Sequence, residues 1–178
     1  MTAAVKQVPP DKARDEALVK ELARLINEAY AVGEAGLWLD GTTRTGPGEI
    51  AEAIRSGGML AATFEGLLVG CAYVRSLGAD AADLGMVAAA TDQWGRGVGG
   101  ELVRSAEELM RSNGVATMQL ELFVPKGWVH PEKERLHGWY TRLGYRVIRS
   151  APFEEAAAHL ASQLAVPCEF LIFRKRLL

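Results

Sequence analysis

Leu18, Leu22, Leu25, Ile26 and Ala29 recur with helical spacing. They share one face, and the pattern predicts a helix over residues 11–31, capped by Asp11 and stopped at Gly33. The next stretch, GEAGLWLDGTTRTGPG, has no period, is rich in glycine and polar residues, and carries Trp38 and Arg44. It reads as a loop of functional length, with a short helix over residues 49–55 behind it. The pattern then turns to strands. MLAATF and LLVGCAYVRS flank Glu65-Gly66, a two-residue hairpin signal. SLGAD turns the chain into a third strand, ADLGMVAAA. Connections this short predict an antiparallel meander.

Val98, Leu102, Val103, Ala106, Leu109 and Met110 restore the helical period to residue 112, where Asn113-Gly114 ends it. ATMQLELFV alternates as a strand, with Met118, Leu120 and Leu122 on one side and Gln119 and Glu121 on the other. This strand–helix–strand unit is the one clear crossover and predicts two parallel neighbours. A loop PKGWVHPEKE, a helix KERLHGWYTRLG, a strand YRVIRS, a small helix over residues 154–164 and a strand CEFLIFRKRL complete the chain. The whole predicts one mixed α/β domain over residues 1–178, with a central, mainly antiparallel sheet flanked by helices.

Composition narrows the function. A net charge of −2 gives no global basic field for nucleic acid or an anionic membrane. The N-terminal MTAAVKQVPPDK lacks the apolar core of a secretion signal, and no apolar run reaches the ~20 residues of a membrane helix. Cys71 and Cys168 are the only cysteines, expected as reduced, buried thiols of a cytoplasmic protein. His130 and His159 offer no metal spacing, so no metal is expected.

QWGRGVGGEL carries Gly95, Gly97, Gly99 and Gly100 into the start of a helix that glycine disfavours. The first N–H groups of a helix lack carbonyl partners and its dipole adds positive charge there, so an anion docks well. Glycines let phosphate oxygens approach the backbone. The plain alternative is a turn where strand and helix pack closely. No lysine followed by Ser or Thr closes a Walker loop. Gly95, Gly97 and Gly100 do satisfy the dinucleotide pattern G-x-G-x-x-G, with Glu121 near the place of a ribose-binding acid. That fold needs several parallel strand–helix repeats, and this chain has one crossover behind a meander.

VAAATDQWGRGVGGELV resembles the acetyl-CoA-binding segment of the GNAT superfamily of N-acetyltransferases. There a strand ends in Leu/Ile-Ala-Val, a loop carries an acidic residue, and Gln or Arg-x-x-Gly-x-Gly or Ala opens a helix. Here Val87-Ala88-Ala89 ends the strand, Asp92 lies in the loop and Gly95-Arg96-Gly97-Val98-Gly99 makes the turn. LHGWYTRLGYRVI is similar to the family's second signature through Trp139-Tyr140 and Gly144-Tyr145. Two positions depart from the family: Trp94 stands where Gln or Arg is usual, with Gln93 one step early, and Lys133 stands where Asn is frequent.

The resemblance implies an acetyltransferase using acetyl-CoA as co-substrate and a small-molecule or peptide amine as acceptor, with a homodimer as the common assembly. It implies cofactor binding by Val87, Ala88 and Ala89 and by Trp94, Gly95, Arg96, Gly97, Val98, Gly99 and Gly100. It implies that Tyr140 donates a proton to the leaving thiolate; the plain alternative is a tyrosine packed on the sheet. Glu121, in LEL, is the candidate base and Asp83 the alternative, each against a solvated carboxylate. Glu34, Trp38 and Arg44, with Trp128 and His130, lie in loops expected to overhang the amine entrance. An indole there could cover an acceptor and Arg44 could hold a carboxylate or phosphate, unless these residues only anchor their loops. Trp94 and Lys133 motivate a second possibility, an acyl-CoA-binding sensor without turnover.

Overall fold

The computed structural model describes residues 2–178. Strands β1 (Ala4–Gln7), β2 (Met59–Phe64), β3 (Leu67–Ser76), β4 (Ala81–Ala89), β5 (Thr117–Pro125), β6 (Arg146–Pro152) and β7 (Cys168–Arg176) form one sheet. Their order is β1-β2-β3-β4-β5-β7-β6. β4 and β5 are parallel, and every other pair is antiparallel. The meander and the crossover thus stand as the residue pattern predicts.

Helices α1 (Glu16–Gly33) and α2 (Pro47–Arg55) cover one face of the sheet, and α3 (Val98–Ser112) and α4 (Pro131–Arg142) the other. Leu22, Ile26, Ile50 and Ile54 pack with Met59, Cys71 and Ala88. Leu102, Val103 and Ala106 pack with Met118, Leu120, Tyr145 and Phe173. A third cluster, Leu37, Phe123, Phe153, Phe170 and Ile172, fills the far end beside α5 (Phe153–Ala157).

The first helix begins later than its period suggests. Pro10–Arg14 forms a tighter 3-10 turn. Asp15, not Asp11, is the cap, because its carboxylate accepts from the otherwise unpaired Leu18 N–H at 3.1 Å. β1 has no counterpart in the sequence reading: its four residues are too few to display alternation, and pairing with β2 makes the strand. The small helix near the C-terminus is α5 followed by a 3-10 segment, Ala158–Gln163. No helix among the described residues is long and apolar enough to cross a membrane. Cys71 and Cys168 are free and buried.

Candidate active site

The site begins where two strands part. β4 and β5 pair from Ala81↔Thr117 to Leu84↔Leu120 and no further, whereas β5 stays paired with β7 as far as Pro125. A bulge starts the separation: Met86 and Val87 stand opposite Ala72 alone, between the pairs Tyr73↔Gly85 and Cys71↔Ala88. Met86 sits at φ 50°, a left-handed conformation uncommon for a side-chain-bearing residue. Beyond it, Val87–Ala89 remains hydrogen-bonded toward β3 and opens on the side of β5.

Gly97 caps α3 with φ 87°, again left-handed, and no side chain caps the helix. The first helical hydrogen bond runs from the Glu101 N–H to the Gly97 carbonyl at 3.0 Å. The amides of Val98, Gly99 and Gly100 precede it and have no helical partner. A Cβ at Gly97 or Gly100 would meet nothing within 4 Å, so the approach to these amides is clear; one at Gly99 would press on the Trp139 ring at 3.2 Å. The Trp94 indole N–H donates to the Ala89 carbonyl at 2.9 Å and ties the loop to the end of β4.

A cavity of about 440 Å³ joins these parts. Its wall runs from Trp94, Gly95 and Gly97–Gly100 past Val87–Ala89 to Glu121, Lys133 and Tyr140, and on to Glu34 and Arg44.

The family model for the GNAT acetyltransferase family matches residues 20–145. The chain belongs to the GNAT acetyltransferase family. A search of curated proteins found no match to it. Among solved structures, this GNAT chain is similar to Ard1 from Thermoplasma volcanium, with 14% identity, a TM-score of 0.70 and coverage of 100% of this chain and 99% of that one. It is similar to an aminoglycoside 6'-N-acetyltransferase complexed with coenzyme A, with 15% identity, a TM-score of 0.71 and coverage of 98% and 97%. It is also similar to the Neisseria gonorrhoeae N-acetylglutamate synthase complexed with coenzyme A and N-acetyl-glutamate, with 15% identity and a TM-score of 0.66. That match covers 100% of this chain and 36% of the synthase. At these identities the likeness is one of fold.

In this GNAT chain, Tyr140 is buried on α4, and burial raises its pKa. Its hydroxyl has no hydrogen-bond partner among the described residues, and it lines the cavity. Glu121 faces the cavity from β5; burial raises its pKa, and the neighbouring Asp83 carboxylate adds to the rise. Asp83 itself lies outside the lining, in the paired part of β4. Its Oδ2 is 3.4 Å from Arg75 Nη2, its Oδ1 is buried without a partner, and burial raises its pKa against the pull of Arg75. Arg96 is exposed and outside the lining.

The acceptor candidates divide. Glu34 and Arg44 line the cavity, whereas Trp38, Trp128 and His130 do not. Trp38 turns into the third core cluster against Phe123 and Phe153, with ring centroids 5.3 and 5.9 Å away. Trp128 is exposed beside His130, whose Nε2 bonds the Ala35 carbonyl at 2.8 Å and ties the two loops together. Sequence reasoning passed over Tyr30, Arg135 and Trp139 as lining residues and saw Lys133 only as a departure. Lys133 is buried, and its Nζ reaches Glu34 Oε1 at 3.2 Å across 99 residues of sequence. Burial lowers its pKa, against the pull of Glu34. No local pattern announces a contact of that range.

Proposed function

We propose that the chain is an N-acetyltransferase that moves an acetyl group from acetyl-CoA to a primary amine by direct attack in a ternary complex, the chain acting as one cytosolic domain. What supports this reading above all is that one cavity joins the free amides at the start of α3 to Glu121 and Tyr140 through the gap between β4 and β5.

The residues fit a coenzyme's diphosphate. The amides of Val98, Gly99 and Gly100 lie at the positive end of a fifteen-residue helix, unobstructed at Gly97 and Gly100. Arg135 also lines the cavity, with Glu132 Oε2 accepting from its Nε and Nη2 at 2.9 and 2.8 Å. When bound, acetyl-CoA supplies a thioester carbonyl open to attack and a sulfur able to leave.

The chain's own groups then divide the work. The backbone of Val87–Ala89, released from β5, holds the pantetheine extended, and an N–H of Val87 or Ala88 faces the carbonyl oxygen as it gathers negative charge. Glu121 takes the proton that the amine loses as the C–N bond forms; a raised pKa makes it a stronger base than a surface carboxylate. Tyr140 gives its phenolic proton to the sulfur as the C–S bond breaks, and solvent returns a proton from Glu121 to Tyr140. Neither serine nor cysteine lines the cavity, in keeping with direct attack by the amine.

The test is free-thiol release on mixing the protein and acetyl-CoA with a panel of amines. Release that depends on the amine is the expected result. Binding of CoA without release by any amine would leave a coenzyme-binding module, and failure to bind CoA would remove the reading.

A further inference from the structure

The acceptor end of the cavity holds two cations and one carboxylate. Glu34 Oε2 accepts from the Trp38 indole at 2.6 Å and from Arg44 Nε at 2.7 Å, and Glu34 Oε1 accepts from Lys133 at 3.2 Å. Three donors leave that carboxylate little capacity for more. The two terminal nitrogens of Arg44 have no partner among the described residues, although the Arg44 side chain is only 22% exposed. Arg44 lines the cavity, so these two nitrogens are donors available to whatever enters it.

Arg44 is also held rigidly. Its guanidinium lies 5.0 Å from the ring centroids of Tyr30 and Trp38 and 5.5 Å from that of Phe123. Its loop is sewn to α1, because Asn27 Oδ1 accepts from the N–H groups of Arg44 and Thr45 at 2.9 and 3.1 Å, and Asn27 Nδ2 donates to the Thr45 carbonyl at 2.9 Å. The side chain thus presents a fixed two-donor fork to the cavity, flanked by the rings of Tyr30, Trp38 and Phe123. That geometry matches a carboxylate. A phosphate dianion would bring more charge than one guanidinium edge answers, and a polycation would meet Arg44 and Lys133 head on.

We propose that the acyl acceptor is a small primary amine that itself carries a carboxylate, an amino acid in the broad sense, with the carboxylate on the outer edge of Arg44 and the amine beside Glu121. This rests on the acetyltransferase reading above. Arg44 and Glu121 line the same cavity. Glu121 and Phe123 are alternate residues on one face of β5, about 7 Å apart, and Arg44 lies on the Phe123 ring.

The experiment compares common L-amino acids with their carboxamides, alongside spermidine and an aminoglycoside, as acceptors of acetyl from acetyl-CoA. Calorimetry of the same acid and amide pairs, with the protein saturated in CoA, gives a readout independent of turnover. The expected result is a kcat/KM for at least one acid that exceeds its amide by about ten- to a hundredfold, the size of a charge-assisted pair. The polycations should be poor acceptors. In Arg44→Gln the acid-to-amide ratio should collapse toward one, mainly through KM, and Arg44→Lys should restore part of it. Should Arg44→Gln fail to fold, the wild-type ratio decides alone. Amides used or bound as well as acids, or polycations preferred, would overturn the carboxylate while leaving acetyl transfer intact. If no amine releases thiol, the acetyltransferase reading fails and the calorimetric comparison still decides for or against the carboxylate.

Discussion

Leu84 and Leu120 are the last partners of the parallel ladder between β4 and β5, and Met86, two residues on, turns its backbone to φ 50°. The gap proposed to admit a coenzyme thus opens next to a bulge in one strand. A β-branched residue tolerates that conformation worst, so Met86→Ile is expected to cost about 1–3 kcal/mol and to weaken CoA binding as β4 relaxes toward β5. Met86→Gly should keep the affinity. Thermal melts and calorimetry check this, and an isoleucine variant as stable as the wild type would show that the bulge stores no strain.

Tyr140→Phe removes the phenolic proton and little volume. The expected effect is a fall in kcat of roughly 10- to 100-fold with KM nearly unchanged. The proposed acid is the neutral phenol, and burial raises the Tyr140 pKa above the ordinary 10.0. No falling limb from this group should appear in the pH profile below pH 10. Equal kcat in wild type and variant would remove the acid role.

In the proposed mechanism Glu121 titrates in the opposite sense, since the form that would take the proton is the carboxylate. Its pKa is raised above the ordinary 4.5 by burial and by Asp83, so kcat/KM should be lost as pH falls through that raised value. In Glu121→Gln this limb should vanish, leaving only the dependence set by the acceptor amine. A profile identical to the wild type would assign the proton to another acceptor.

Away from the cavity, Glu107 accepts from the Tyr145 hydroxyl at 2.9 Å and from Lys175 at 2.7 Å, joining α3 to the turn between α4 and β6 and to β7. Glu107→Leu strands both donors in a mostly buried place. The expected loss is about 2–4 kcal/mol, or a fall in Tm of roughly 5–15 °C. Tyr145→Phe, which leaves the Lys175 pair intact, should cost about 1 kcal/mol. Equal losses in the two variants would contradict the pairing.

Much of this fold was legible because its signals are local. The period from Val98 to Ser112 matches the bounds of α3, and the glycines around Gly97 mark its open end. Connection length alone separated the antiparallel meander from the parallel crossover. The unread features depend on partners distant in sequence. Nothing near Met86 foretells a positive φ, since the bulge arises in the pairing of β4 with β3. Trp38 looked like an acceptor cover, but the aromatic core beside Phe123 and Phe153 draws it inward. Lys133 stood only as an oddity until the fold set it against Glu34.

Coenzyme binding is proposed to depend on the amides at the head of α3, and CoA titrated calorimetrically into wild type and Gly97→Asp tests them most directly. The aspartate sets a carboxylate and a Cβ where an anion should lie, at φ 87°. Saturable binding by the wild type and a loss of about tenfold or more in the variant are expected, while a wild type that ignores CoA, or a variant that binds it equally well, would contradict a coenzyme site at these amides.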